Sequence, residues 1–133
     1  MQILPVRLSP LSDLRAALEA VLQEHAVGAG FVMQAIGSLS VVQLRMAGMP
    51  QPLELREDLE ILTLAGSLSP DGAHLHISVA DAQGRVMGGH LCPGSIVRTT
   101  AEVLVALLPD HHFSREDDAE TGFKELAVRT VRR

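Results

Sequence analysis

His74-Leu75-His76-Ile77-Ser78-Val79-Ala80-Asp81-Ala82-Gln83-Gly84-Arg85-Val86-Met87-Gly88-Gly89-His90-Leu91-Cys92 reads as two strands and the turn that joins them. Side chains alternate between faces along a strand, so His74 and His76 point the same way while Leu75, Ile77 and Val79 alternate with them. Whether His90 joins this pair depends on the turn, because hairpin geometry fixes which residues face each other. A two-residue loop of Ala82-Gln83 would set Asp81 opposite Gly84 and His90 opposite Leu75, on the wrong face. The primed turns of such loops favour Gly or Asn, and Ala82-Gln83 supplies neither. A type I turn from Asp81, with Gly84 in the left-handed position of a G1 bulge, instead sets Asp81 opposite Arg85 and His90 opposite His76. Gly84 favours the second geometry.

In that register three imidazoles share a face, and directly opposed β-carbons lie about 4.5–5.5 Å apart. Three neutral imidazoles suit Zn²⁺, with Ni²⁺, Cu²⁺ or Fe²⁺ as other choices, and leave one coordination position open. The same register sets Cys92 opposite His74 as a fourth-ligand candidate, although Pro93 bends the chain there and a lone Cys usually serves as an apolar filler. Gly88-Gly89 is costly inside a strand unless another backbone or a ligand approaches closely. Without an ion, the same rings read as polar residues of a solvated face or of a subunit interface.

Upstream, Ser9-Pro10 looks like an N-cap with proline at the first helical position, followed by Leu11, Leu14, Leu18, Val21 and Leu22 at helical spacing. The expectation is a helix from about Pro10 to His25, ended by Gly28 and Gly30, with His25 a dipole or surface residue rather than a ligand. Strands are expected over Gly30 to Leu39, Val41 to Met46, Leu59 to Ser69, Ala73 to Ala80, Arg85 to Leu91, Ile96 to Leu108 and Glu125 to Val131. Met46 to Pro52 and Asp110 to Gly122 read as loops, with His111-His112 a polar loop pair. The fold class is α+β: one domain over residues 1–133, with a main helix on a mostly antiparallel sheet. One helix leaves apolar sheet surface uncovered, so self-association is expected.

Composition bounds the function. The chain has 133 residues, 11 Lys plus Arg against 16 Asp plus Glu, and a formal charge of −5, which lacks the basic excess of non-specific duplex binding. With no Trp, no Tyr and three Phe there is no aromatic platform for single-stranded nucleic acid. A single Cys, no signal-peptide pattern and no apolar run of about 20 residues point to a cytoplasmic protein without a membrane span.

Several motifs together resemble the PPC domain, a family shared by plants and prokaryotes. They are Leu59-Glu60-Ile61-Leu62-Thr63-Leu64-Ala65-Gly66-Ser67, His74-Leu75-His76-Ile77-Ser78 with Asp81 and Gly84, Gly88-Gly89-His90-Leu91 with Gly94, and Thr100-Ala101-Glu102-Val103. The resemblance implies an antiparallel α+β fold, a homotrimer and, from some prokaryotic members, metal, typically zinc, at His74, His76 and His90. It also implies association with DNA or with regulatory proteins. The Arg-Gly-Arg-Pro AT-hook that accompanies plant members does not occur here, and the basic end is limited to Arg129, Arg132 and Arg133.

Three functions follow as expectations. One is a DNA-associated or regulatory trimer in which metal stiffens the hairpin. Another is a metal-dependent enzyme or small-ligand binder, with Glu60 or Glu102 as the general base to examine. The third is a metal-free oligomeric domain.

Overall fold

The structure is a computed structural model that describes residues 1–131; Arg132 and Arg133 lie outside the described residues. Its elements in chain order are β1 (Gln2–Leu8), α1 (Leu14–Glu24), β2 (Gly30–Arg45), β3 (Leu53–Ser69), β4 (Gly72–Ala80), β5 (Val86–Leu91), β6 (Ile96–Leu107), β7 (His111–Asp117) and β8 (Lys124–Thr130). Among the described residues, six strands form an antiparallel sheet in the order β1-β6-β2-β3-β4-β5, and β7 pairs with β8 separately. The expected helix on an antiparallel sheet is what forms, with one short helix and a preponderance of strand.

β2 is one 16-residue strand where the sequence suggests two. Its register shifts at Val32/Gln34, Gly37/Leu39 and Leu39/Val41, and each shift bends it without ending it. Gln34 stitches the first bulge, its Oε1 accepting from Ala35 N at 2.9 Å and Leu64 N at 3.0 Å. The bent strand pairs with β6 through Val41 and then with β5 at Leu44 and Arg45. Since β3 and β4 link β2 to β5, these four strands close on themselves, and Leu44, Leu64, Leu75, Val79 and Leu91 are all at most 1% exposed.

The helix is shorter than its apolar spacing suggests. Asp13 rather than Ser9 is the N-cap: one carboxylate oxygen accepts from Ala16 N at 3.1 Å, the other from Gly94 N at 2.8 Å. The same side chain therefore caps the helix and anchors the β5–β6 connection, whereas Pro10 and Leu11 form the preceding turn, Leu11 at φ 70°. Leu14, Leu18, Val21 and Leu22 are buried. His25 is the C-cap, with Nδ1 3.0 Å from Val21 O, a helix-end role as expected.

Two strands escape the sequence reading. β1 is an edge strand in which only Leu4, Val6 and Leu8 pack inward. β7 occupies half of the expected Asp110–Gly122 loop and carries His111 and His112 opposite Thr130 and Arg129, so they are strand rather than loop residues. Among the described residues no helix is long and apolar enough to cross a membrane.

Candidate metal centre

The β4–β5 turn takes the G1-bulge geometry. Asp81 N donates to Arg85 O at 3.0 Å, Gly84 N donates to Asp81 O at 2.9 Å, and Gly84 has φ 78°. The Asp81 carboxylate accepts from Gln83 N, Arg85 N and Arg85 Nε at 2.9, 2.9 and 2.6 Å, tying both ends of the turn to one side chain. His76 is thereby opposite His90, and Ile77 opposite Gly89.

The glycines before His90 answer a packing demand. A β-carbon on Gly88 would lie 2.8 Å from Ile77 O, and one on Gly89 2.8 Å from Arg45 O. β5 is thus squeezed between the backbones of β4 and β2, which fixes the face His90 presents.

His74, His76 and His90 come together. Their ring centroids are 5.0, 5.4 and 4.7 Å apart for the pairs 74–76, 74–90 and 76–90. One nitrogen from each lies within 4.8 Å of the others, so the three could hold one metal ion. Burial is the largest influence lowering the pKa of both His74 and His90. Arg115 then pushes His74 further down and Arg45 does the same to His90. The neutral ring, the form that binds metal, is favoured. The donor set therefore fits a borderline divalent ion such as zinc.

Cys92 does not join the group. β5 leaves β4 at His90 to pair with β2, Cys92 N donates to Gln43 O at 3.0 Å, and the thiol lies 3.8 Å from His90 O. The expected opposition to His74 fails because the hairpin ends at His76–His90, two pairs earlier. Glu60 sits on β3 opposite Ser38 and Ala80, and Glu102 lines a separate cleft with Pro5 and Leu104. The carboxylate beside the triad is Glu125 of β8, which with Arg115 shares a depression with His74 and His76. Sequence reasoning missed Glu125, Arg115 and Arg45, since their placement depends on pairings between segments far apart in the chain.

A small, strand-rich domain carrying a histidine triad on its outer surface is the class this geometry defines. The chain belongs to the Plants and Prokaryotes Conserved (PCC) domain family, whose sequence model matches residues 1–109. It is 48% identical over 131 residues to the bifunctional protein GlmU of two Synechococcus strains, covering 98% of this chain and 21% of the relative, so it spans about a fifth of their length. A solved hypothetical protein from Salmonella enterica is 36% identical, with TM-score 0.94 over 97% of this chain and 94% of that one. A metal-containing protein from Archaeoglobus fulgidus is 27% identical, with TM-score 0.77 over 96% and 94%. A protein from Bacteroides thetaiotaomicron, designated a DNA-binding candidate, shares the fold at 23% identity and TM-score 0.82 over 94% and 91%.

Proposed function

We propose that the chain is a metal-binding domain in which His74, His76 and His90 hold one divalent ion, zinc before the alternatives. The observation that carries this reading is the convergence of three imidazoles within 4.8 Å on a hairpin whose register is pinned by Gly84, Gly88 and Gly89. The metal-containing Archaeoglobus relative supports it. When bound, such an ion supplies a Lewis-acid position open to a further ligand. Burial favours the neutral form of His74 and His90, and the Gly-Gly pair keeps His90 on the same face as His76. Metal analysis of tag-free protein tests the reading: one ion per chain is expected, and His76→Ala should lose it. Metal-free wild type, or a variant that keeps a full equivalent, would overturn the assignment.

We further propose that residues 1–133 act as one domain that assembles as a homotrimer in the cytosol. Ile36, Leu62 and Leu104 are 52%, 42% and 37% exposed on strands whose other faces build the core, and Pro5, Ile36 and Leu104 line a shallow apolar cleft. Covering such surface favours association. The β7–β8 hairpin docks on the main sheet through the Phe31–Phe113 edge contact at 5.7 Å and an Arg115 N to Asp71 hydrogen bond at 2.9 Å. Light scattering should give three times the chain mass and Leu104→Asp a smaller species; a wild-type monomer refutes the assembly.

Association with DNA is the second reading, favoured by Arg45 and Arg115 near the triad, which form no ion pair among the described residues. Anisotropy with duplex DNA across salt tests it: affinity must fall as salt rises, and the absence of binding at low salt removes the direct form.

A further inference from the structure

Where β5 leaves β4 for β2, a cleft of about 750 Å³ opens beside His74 and His90. That size falls within the roughly 300–1,000 Å³ of small-molecule sites. Its walls are basic. Arg45 lies directly opposite His90 across the β2–β5 pairing, so Arg45, His90 and His76 form one row over three strands. Arg115 and Lys124 approach from the β7–β8 hairpin and Arg15 from the helix.

Arg15 is held by Glu19 at 2.6 Å and Lys124 by Asp117 at 3.3 Å. Arg45 and Arg115 form no ion pair among the described residues; Arg115 instead donates to Lys124 O at 2.8 Å. Glu125 is the one carboxylate among the described lining residues. Two guanidinium groups without an ion pair among the described residues, against one carboxylate in the cleft, leave an excess of positive charge that a bound anion would offset. Guanidinium forks match carboxylate and phosphate oxygens in pairs.

We propose that this cleft binds a small anion bearing phosphate or carboxylate groups, gripped by Arg45 and Arg115 beside the histidine triad. A role for the anion as a metal ligand rests on the metal reading above; the arginine grip does not. The enclosure favours a small molecule over a duplex, which presents a broad convex surface.

Calorimetric titration of pyrophosphate and of citrate into metal-loaded and metal-stripped protein tests the proposal. Wild type should bind at least one probe saturably, and whichever is preferred assigns phosphate or carboxylate. Arg45→Gln and Arg115→Gln should each weaken that probe about tenfold or more. Arg7→Gln, in the separate cleft around Pro5, should leave affinity unchanged. Circular dichroism and metal content check that the variants stay folded. No binding of either probe, equal affinity in wild type and both arginine variants, or stoichiometric displacement of the probe by short duplex DNA overturns the proposal. Protein that takes up no metal but binds the probe with the same arginine dependence overturns only the metal reading.

Discussion

Gly84→Ala isolates the backbone cost of the left-handed residue in the β4–β5 turn. Gly84 has φ 78°, and a β-carbon there would find nothing within 4 Å, so the substitution meets no steric obstacle. The left-handed conformation costs an alanine about 1–2 kcal/mol, partly offset by about 0.4–1 kcal/mol from the restricted unfolded chain. The net expectation is a loss of about 1 kcal/mol. Asn tolerates this conformation better, so Gly84→Asn should lose less. With a urea dependence of about 1–3 kcal/mol/M, the alanine midpoint should fall by about 0.3–1 M, read by circular dichroism on metal-free protein. Both variants should still bind metal, because Gly88 and Gly89 hold His90 independently of the turn. Alanine as stable as wild type, or asparagine as costly as alanine, would refute the idea that the turn requires a left-handed residue at position 84.

Neighbouring residues of β4 should behave oppositely: Leu75→Ala, at 1% exposure, should cost about 2–5 kcal/mol in denaturation, whereas the exposed His76→Ala should cost about 0.5 kcal/mol or less in metal-free protein. Asp13→Ala removes a cap and a tie to Gly94, and a thermal melt should report a loss of about 1–2 kcal/mol. Glu116 is pulled down to about 2 by its hydrogen bonds to Arg129 and Ser114, against 4.5 ordinarily. Its stabilising effect is therefore complete above pH 4.5 and lost as pH falls toward 2; amide exchange across β7–β8 should rise in that window, and less so in Glu116→Gln. His74 and His90 titrate below 6.5, so as pH drops below that value the unfolded chain takes up protons first and the metal-free fold weakens. A urea series from pH 8 to 5 should show the decline, and His74→Gln should flatten it.

The features legible in the sequence are those encoded locally. Asp81 and Gly84 carry their own turn, strand alternation places His74 with His76, and Gly88-Gly89 announces a close backbone approach that Ile77 O and Arg45 O supply. Local signals misled where one side chain serves two elements. Ser9-Pro10 is a plausible helix start, but Asp13 wins because it also holds Gly94 N. β7 was illegible because only Phe113 is buried along it, so no apolar alternation marks the strand. The bulges of β2 hid its continuity, since each shift breaks the period-two pattern that defines a strand.

Cys92 and Arg45 illustrate one non-local fact with opposite consequences. Extending the β4–β5 hairpin by two further pairs, Leu75–Leu91 and His74–Cys92, would put the thiol beside His74. The chain instead transfers β5 to β2, where Leu91 finds Leu44 as a buried neighbour and Cys92 N finds Gln43 O. Leu91 is completely buried there, which stabilises by about 1.5–3 kcal/mol. The same transfer brings Arg45 opposite His90 and opens the cleft between the departing strands. The packing of one leucine thus keeps the Cys92 thiol out of the histidine cluster and sets a guanidinium beside it, so the three imidazoles have a cationic flank.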